Sequence, residues 1–154
     1  MSTSLLARAI ALAATKHVNQ TDKRGEPYIL HTLKVMYLLK SKDEELQAIA
    51  VLHDAVEDQG VTYAELREHG MTERVIEGIR AMTKQLGQTQ EEYMAGLLAN
   101  VDAARVKLAD LRHNSDFRRL KGTTPKDEAR LLKYSRMYYA LDQFLHYTVM
   151  AEHE

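Results

Sequence analysis

The octapeptide VLHDAVED, residues 51–58, concentrates side chains that can bind a cation or move a proton. On a continuous helix, positions i and i+4 face the same way, so His53 is expected over Glu57. Asp54 is expected over Asp58 for the same reason. Carboxylates held this closely repel one another unless a cation lies between them. The segment therefore predicts a metal-binding site, and a solvated acidic face with one interfacial histidine is the open alternative.

A second segment, VKLADLRHNSD at residues 106–116, has the same character. Asp110 follows apolar residues, and Asn114 lies one i+4 step further on. A buried carboxylate needs a partner. For Asp110 that partner is either a metal ion or a neighbouring base, Lys107 or Arg112.

A third segment, GEPYILHTLKVM, places His31 on a helix. Alone, such a histidine is either a ligand or a satisfied core residue. Because the chain has no cysteine, any metal must bind to His, Asp or Glu. A site built from imidazoles and carboxylates suits manganese, iron or zinc better than magnesium.

Composition limits the class of protein. The 154 residues, 45% apolar and 28% charged, predict one soluble globular domain over residues 1–154. A net charge of -1 argues against binding to duplex nucleic acid. The sequence contains no run of about 18 apolar residues, so no membrane span is predicted. The N-terminal stretch is interpreted as an amphipathic helix, not a signal peptide. A cytoplasmic location is expected.

Apolar residues recur every three or four positions, which predicts an all-α fold of about eight helices. The first helix is expected to begin within residues 2–4, and capping boxes are expected at Thr62 and Thr89.

The pattern also predicts one continuous helix from Asp43 through Glu57 and another from Val101 to Leu120. Leu30 and Leu132 are expected to face the core.

Five segments occur in a fixed order: HVNQTDKRGEPYILH, AVLHDAVED, AMTK, VKLADLRHN and ARLLKY. In this order, over residues 9–140, the chain resembles the HD phosphohydrolase superfamily. It is most similar to alarmone hydrolase domains of the Rel/SpoT type and their small stand-alone relatives. The resemblance implies a compact all-α HD fold. It also implies a hydrolase that removes pyrophosphate from the 3′ position of guanosine or adenosine 3′,5′-bis(diphosphate).

The resemblance also implies roles for individual residues. One divalent ion, usually manganese, is expected on His31, His53, Asp54 and Asp110. Water activation and orientation are expected from Glu57 and Asp58, with the Asn114 amide beside the metal. Substrate contacts are expected from Lys23 and Arg24 near the nucleoside, Lys84 near phosphates, and Arg130 with Tyr134 at the distal phosphate.

The chain departs from the bifunctional enzymes at Asn19, Asp22 and Thr32, where they usually carry glycine, arginine and proline. Guanine preference is therefore not implied. The alternatives are an HD phosphohydrolase for a nucleoside monophosphate, a dNTP or NADPH, or a non-catalytic helical sensor. The expected partner is a small-molecule nucleotide, and the sequence does not predict an oligomeric state.

Overall fold

The computed structural model describes residues 3–151, except for the side chains of residues 149 and 150. Nine α-helices lie within this range: α1 Leu5–Lys16, α2 Ile29–Leu38, α3 Glu44–Leu52, α4 Ala55–Gln59, α5 Tyr63–Glu68, α6 Glu73–Met82, α7 Gln90–Leu98, α8 Val101–Asn114 and α9 Pro125–Ala151. A 3₁₀ turn covers Phe117–Arg119. These residues form no strand, only an isolated antiparallel bridge between Thr21 and Pro27. The predicted all-α class is confirmed.

Short polar side chains start most of the helices. Ser4 caps α1 by accepting a hydrogen bond from the amide of Ala7. Thr62 and Thr89 accept from the amides three residues later, as the capping boxes predict. Side chains also cap four further helices, Asp43 for α3, Thr72 for α6, Asn100 for α8 and Thr124 for α9. Each cap satisfies amide groups that have no partner within the helix.

The prediction of one helix from Asp43 through Glu57 is wrong, because α3 ends at Leu52 and α4 begins at Ala55. The reason lies in the side chain of His53, whose Nδ1 is 2.6 Å from the carbonyl oxygen of Ala50. In a continuous helix that carbonyl would accept from the amide of Asp54. The side chain competes for it and favours a turn at residues 53–54.

Three further expectations are wrong. The helix expected to reach Leu120 ends at Asn114, because Asp116 caps a separate 3₁₀ turn by accepting from the amide of Arg118. Leu30 is 51% exposed and Leu132 is 53% exposed. In α2 the neighbours of Leu30 pack against the core instead, which turns Leu30 towards solvent.

The helix α3 lies at the centre of the packing and contacts α1, α2, α6 and α8. Its side chains from Ala48 to Leu52 are fully buried. The surrounding helices therefore fix the C-terminal end of α3, where His53 and Asp54 follow. Among residues 3–151, none of the helices is long and apolar enough to cross a membrane.

Gly78 marks the closest approach of α6 to α3. A Cβ atom there would lie 2.4 Å from Cδ1 and 3.0 Å from Cγ1 of the buried Ile49. Gly78→Ala is expected to lower the free energy of unfolding by about 1 to 2 kcal/mol, because overpacking outweighs the gain in helix propensity. Urea unfolding followed by circular dichroism measures this change.

Gly96→Ala is the matched control, because a Cβ atom at this helical glycine meets nothing within 4 Å. It should raise stability by up to about 1 kcal/mol. Adding Ile49→Val removes the clashing Cδ1 and should reduce the penalty of Gly78→Ala. Equal stability of the Gly78→Ala and Gly96→Ala proteins would contradict the proposed overpacking.

Candidate metal centre and active site

Four polar side chains from α2, the α3–α4 turn and α8 converge in the interior. One ligand atom from each residue lies within 4.8 Å of those of the other three in the cluster His31, His53, Asp54 and Asp110. Nε2 of His31 lies 3.0 Å from Oδ1 of Asp110. Nε2 of His53 lies 2.9 Å from Oδ2 of Asp54 and 3.2 Å from Oδ1 of Asp110. The structure thus brings together the four residues for which the sequence predicts metal binding.

The spacing and chemistry of these atoms fit a divalent ion. Ligand bonds of about 2.0 to 2.3 Å place neighbouring ligand atoms roughly 3 to 4.5 Å apart around one ion. Nδ1 of His53 is hydrogen-bonded to the carbonyl oxygen of Ala50, so this nitrogen carries the proton and donates it. Its Nε2 then carries the lone pair, which faces the cluster.

Asp110 is buried, with only 4% of its surface exposed. Its Oδ1 faces the two histidines and accepts from Nδ2 of Asn114 at 3.0 Å, whereas Oδ2 accepts from Nζ of Lys107 at 3.1 Å. Burial raises the pKa of Asp110, but the charge of Lys107 opposes this effect most strongly, and the pKa lies well below its ordinary value. The carboxylate stays charged and keeps Oδ1 towards the cluster. Of the two bases considered for Asp110, the structure pairs it with Lys107, and this pairing is compatible with a metal ion at Oδ1.

Tyr28 donates a hydrogen bond of 2.5 Å to Oδ2 of Asp54. Burial and the charge of Asp54 raise the pKa of Tyr28 above its ordinary value, so the phenol keeps its proton. The ring of Tyr28 also lines a cavity beside the cluster.

Glu57 and Asp58 follow the cluster on α4 and are accessible to solvent. Partial burial and then the charge of Asp54 raise the pKa of Glu57. Asp58 accepts from Nε2 of Gln20 at 3.1 Å, and Oε1 of Gln20 lies 2.7 Å from Nδ1 of His17. His17 is buried and is thus linked to Asp58 through one amide, a role that its place in the sequence does not indicate.

A cavity of about 320 Å³ opens beside the cluster. Its wall includes four of the residues expected to bind substrate, namely Lys23, Arg24, Arg130 and Tyr134. Arg130 forms an ion pair with Asp127, which also lines the cavity. Lys84 is not in this wall, and its Nζ lies 3.4 Å from Oε1 of Gln90. The structure therefore does not bring Lys84 together with the other four.

Asp22 is not a free carboxylate in the cavity wall. Its Oδ1 accepts from the amides of Arg24 and Glu26, and its Oδ2 lies 3.3 Å from Nη2 of Arg119. Nη1 of Arg119 donates to Oδ1 of Asn114 at 3.3 Å. This contact fixes the amide so that its Nδ2 points to Asp110. A chain of hydrogen bonds thus joins the loop at Asp22 to the cluster, and Arg119 is a member that the sequence analysis missed.

His113 was also missed, although the sequence places it on the same face of α8 as Asp110. Its Nδ1 lies 2.7 Å from Nδ1 of His31. Burial, and then the charge of Arg119, lower the pKa of His113 to about 4. The ring is therefore neutral at pH 7.

Comparisons with known proteins agree with this geometry. The HD domain family matches residues 9–130. The chain is 37% identical over 117 residues to a guanosine-3′,5′-bis(diphosphate) 3′-pyrophosphohydrolase of Aquifex aeolicus, which is 71% of this chain and 16% of that protein. A Danio rerio protein of the same enzyme name is 35% identical over 136 residues, covering 81% of this chain and 74% of the relative. The chain spans about a fifth of the length of the bacterial relatives it matches.

A solved structure has the same fold. It is described as a metazoan ortholog of SpoT that hydrolyses ppGpp. It superposes with a TM-score of 0.73 at 21% identity, covering 99% of this chain and 97% of the other. With a family match over residues 9–130 and a relative at 35% identity, this chain belongs to the HD domain family.

Proposed function

We propose that this protein is a metal-dependent hydrolase that releases pyrophosphate from the 3′ position of a nucleoside 3′,5′-bis(diphosphate). The observation that carries the proposal is the convergence of His31, His53, Asp54 and Asp110 beside a cavity whose wall holds four basic side chains and three aspartates. The names of the Aquifex aeolicus and Danio rerio relatives support this substrate class.

The four clustered side chains are proposed to hold one divalent ion, with manganese as the expected metal. When bound, such an ion polarises a phosphoryl oxygen and lowers the pKa of water. Two nitrogen and two oxygen donors would leave two positions, for a water molecule and a phosphate oxygen, on a six-coordinate ion.

Glu57 is proposed to accept a proton from the attacking water, because it lies on α4, directly after His53 and Asp54, and its pKa is raised above the ordinary value. Asp58, held by Gln20, is proposed to orient that water. The water oxygen forms a bond to the 3′ phosphorus, and the bond between that phosphorus and the ribose 3′ oxygen breaks. The ribose oxygen takes up a proton, so the products are pyrophosphate and a nucleoside 5′-diphosphate with a free 3′ hydroxyl.

Lys23, Arg24, Arg130 and Tyr134 are proposed to bind the nucleotide, because they line one cavity and three of them carry positive charge. Asn114 lines the same cavity and contacts Asp110, which makes it the proposed amide beside the metal. The base remains either guanine or adenine. A small-molecule nucleotide partner and a cytoplasmic location are part of the proposal.

The first test is metal binding. Mn²⁺ at about 100 times its dissociation constant should add about 2.7 kcal/mol to stability and raise the unfolding midpoint by roughly 5 to 10 °C. His53→Ala should abolish this shift, because it removes a ligand atom. His146→Ala, at an exposed histidine of α9, should retain it. Differential scanning fluorimetry with and without Mn²⁺ measures both, and an unchanged shift in His53→Ala would exclude this residue as a ligand.

Glu57→Gln should keep the shift with Mn²⁺ but lower kcat by roughly 10²- to 10⁴-fold, the range for lost general acid/base assistance. Glu91→Gln, an exposed glutamate on α7, should leave kcat unchanged. Steady-state release of pyrophosphate measures kcat. Full activity of Glu57→Gln would rule out its role with water, and loss of the metal shift would identify it as a ligand.

The third test concerns the substrate. Protein loaded with Mn²⁺ should release pyrophosphate in one piece from ppGpp, ppApp or both, and should act poorly on nucleoside monophosphates. Chromatography of the products distinguishes pyrophosphate from orthophosphate. Hydrolysis of monophosphates or dNTPs, with no pyrophosphate from either alarmone, would replace this proposal with another phosphohydrolase activity. Metal binding with no turnover of any nucleotide would favour the alternative of a non-catalytic helical sensor.

Two lysines form a matched pair for the same assay. Lys23→Ala should raise KM about tenfold, because it removes a charged contact from the cavity wall. Lys84→Ala should leave KM unchanged, because this lysine lies outside that wall. An unchanged KM in Lys23→Ala with a raised KM in Lys84→Ala would indicate that the substrate binds near Lys84 and not in this cavity.

A further inference from the structure

His31 and His113 meet through equivalent nitrogen atoms. Their Nδ1 atoms are 2.7 Å apart, their ring centroids are 5.0 Å apart and their planes differ by 13°. The centroid distance exceeds the Nδ1 distance by about two ring radii, so the rings meet edge to edge in nearly one plane. This arrangement directs the N–H of one ring at the lone pair of the other, and the contact is a hydrogen bond.

One proton lies between these two nitrogens. Two N–H groups would clash at 2.7 Å, and two lone pairs would repel. A histidine that binds a metal through Nε2 is neutral and carries its proton on Nδ1. If His31 binds the ion of the proposed function through Nε2, which faces Oδ1 of Asp110 at 3.0 Å, then His31 is the donor and His113 the acceptor.

We propose that His113 is a positioning residue, whose Nδ1 accepts the proton of His31 Nδ1 and so keeps the lone pair of His31 Nε2 directed into the metal cluster. The inference rests on the proposed metal-dependent function. It adds to that function a role for His113, which is not one of the four proposed ligands.

His53, a second proposed ligand, also donates a hydrogen bond through Nδ1, but to a different acceptor. Nδ1 of His53 donates to the carbonyl of Ala50 at 2.6 Å, so the main chain fixes its tautomer. Behind His31 the acceptor is a side chain, and mutation can therefore remove it. His113 also lies one helical turn after Asp110 on α8, and its own carbonyl accepts from Nη1 of Arg119 at 3.1 Å. The acceptor is thus fixed to the same helix as one of the ligands.

Isothermal titration of metal-free protein with MnCl₂ tests the proposal. His113→Phe keeps a planar ring but removes the acceptor, and should weaken Mn²⁺ binding by roughly 10- to 100-fold. His113→Asn places Oδ1 at the position of the lost Nδ1 and should restore Mn²⁺ affinity to within about threefold of the original protein. His146→Phe, at an exposed position, should bind Mn²⁺ as the original protein does. Circular dichroism of the metal-free variants checks folding, and His113→Leu replaces His113→Phe if the latter does not fold.

Equal Mn²⁺ affinity of the original protein and His113→Phe would overturn the role of His113 and leave the proposed function intact. Equal weakening in His113→Phe and His113→Asn would also overturn it, because packing of the imidazole would then be what matters. If the original protein binds no Mn²⁺, the manganese site of the proposed function fails, and this inference fails with it. Weakening in His113→Phe with recovery in His113→Asn supports the proposal.

Discussion

The buried carboxylate of Asp110 is the constraint on which the rest of the site depends. A charge in the interior is stable only when it is paired and hydrogen-bonded, and removal of one partner from such a pair costs about 3 to 5 kcal/mol. Lys107 and Asn114 on its own helix donate to Asp110, and a cation between its Oδ1 and the Nε2 atoms of His31 and His53 would complete the pairing. These contacts hold three helices in one arrangement. The position proposed to bind a cation is therefore also a position that stabilises the fold.

The helix α3 connects the hydrophobic core to the candidate metal site. From Ala48 to Leu52 it is apolar and fully buried, and the next two residues are His53 and Asp54. In a helix that continued without interruption, every backbone carbonyl would accept from the amide four residues later. Because Nδ1 of His53 donates to the carbonyl of Ala50, the turn that ends the helix also fixes the tautomer of this proposed ligand.

Local signals allowed most of the helices to be predicted, because a cap such as Thr62 and the spacing of apolar residues act over a few positions. The four clustered residues could be named because their types suit a metal and their segments resemble a family. The break at residues 53–54 could not be predicted, because it depends on one side-chain hydrogen bond. The role of Arg119 depends on a contact with Asp22, 97 positions earlier, and no local pattern indicates such a contact.

The cavity and the cluster are not independent, because Tyr28 and Asn114 belong to both. Tyr28 lines the cavity and donates to Asp54, whereas Asn114 lines it and donates to Asp110. The amide of Asn114 is in turn oriented by Arg119, which Asp22 holds. A change in the loop that carries Asp22 therefore reaches a carboxylate of the cluster through three successive side-chain contacts. Asp22 therefore supports the geometry of the cluster at which the phosphorus would react.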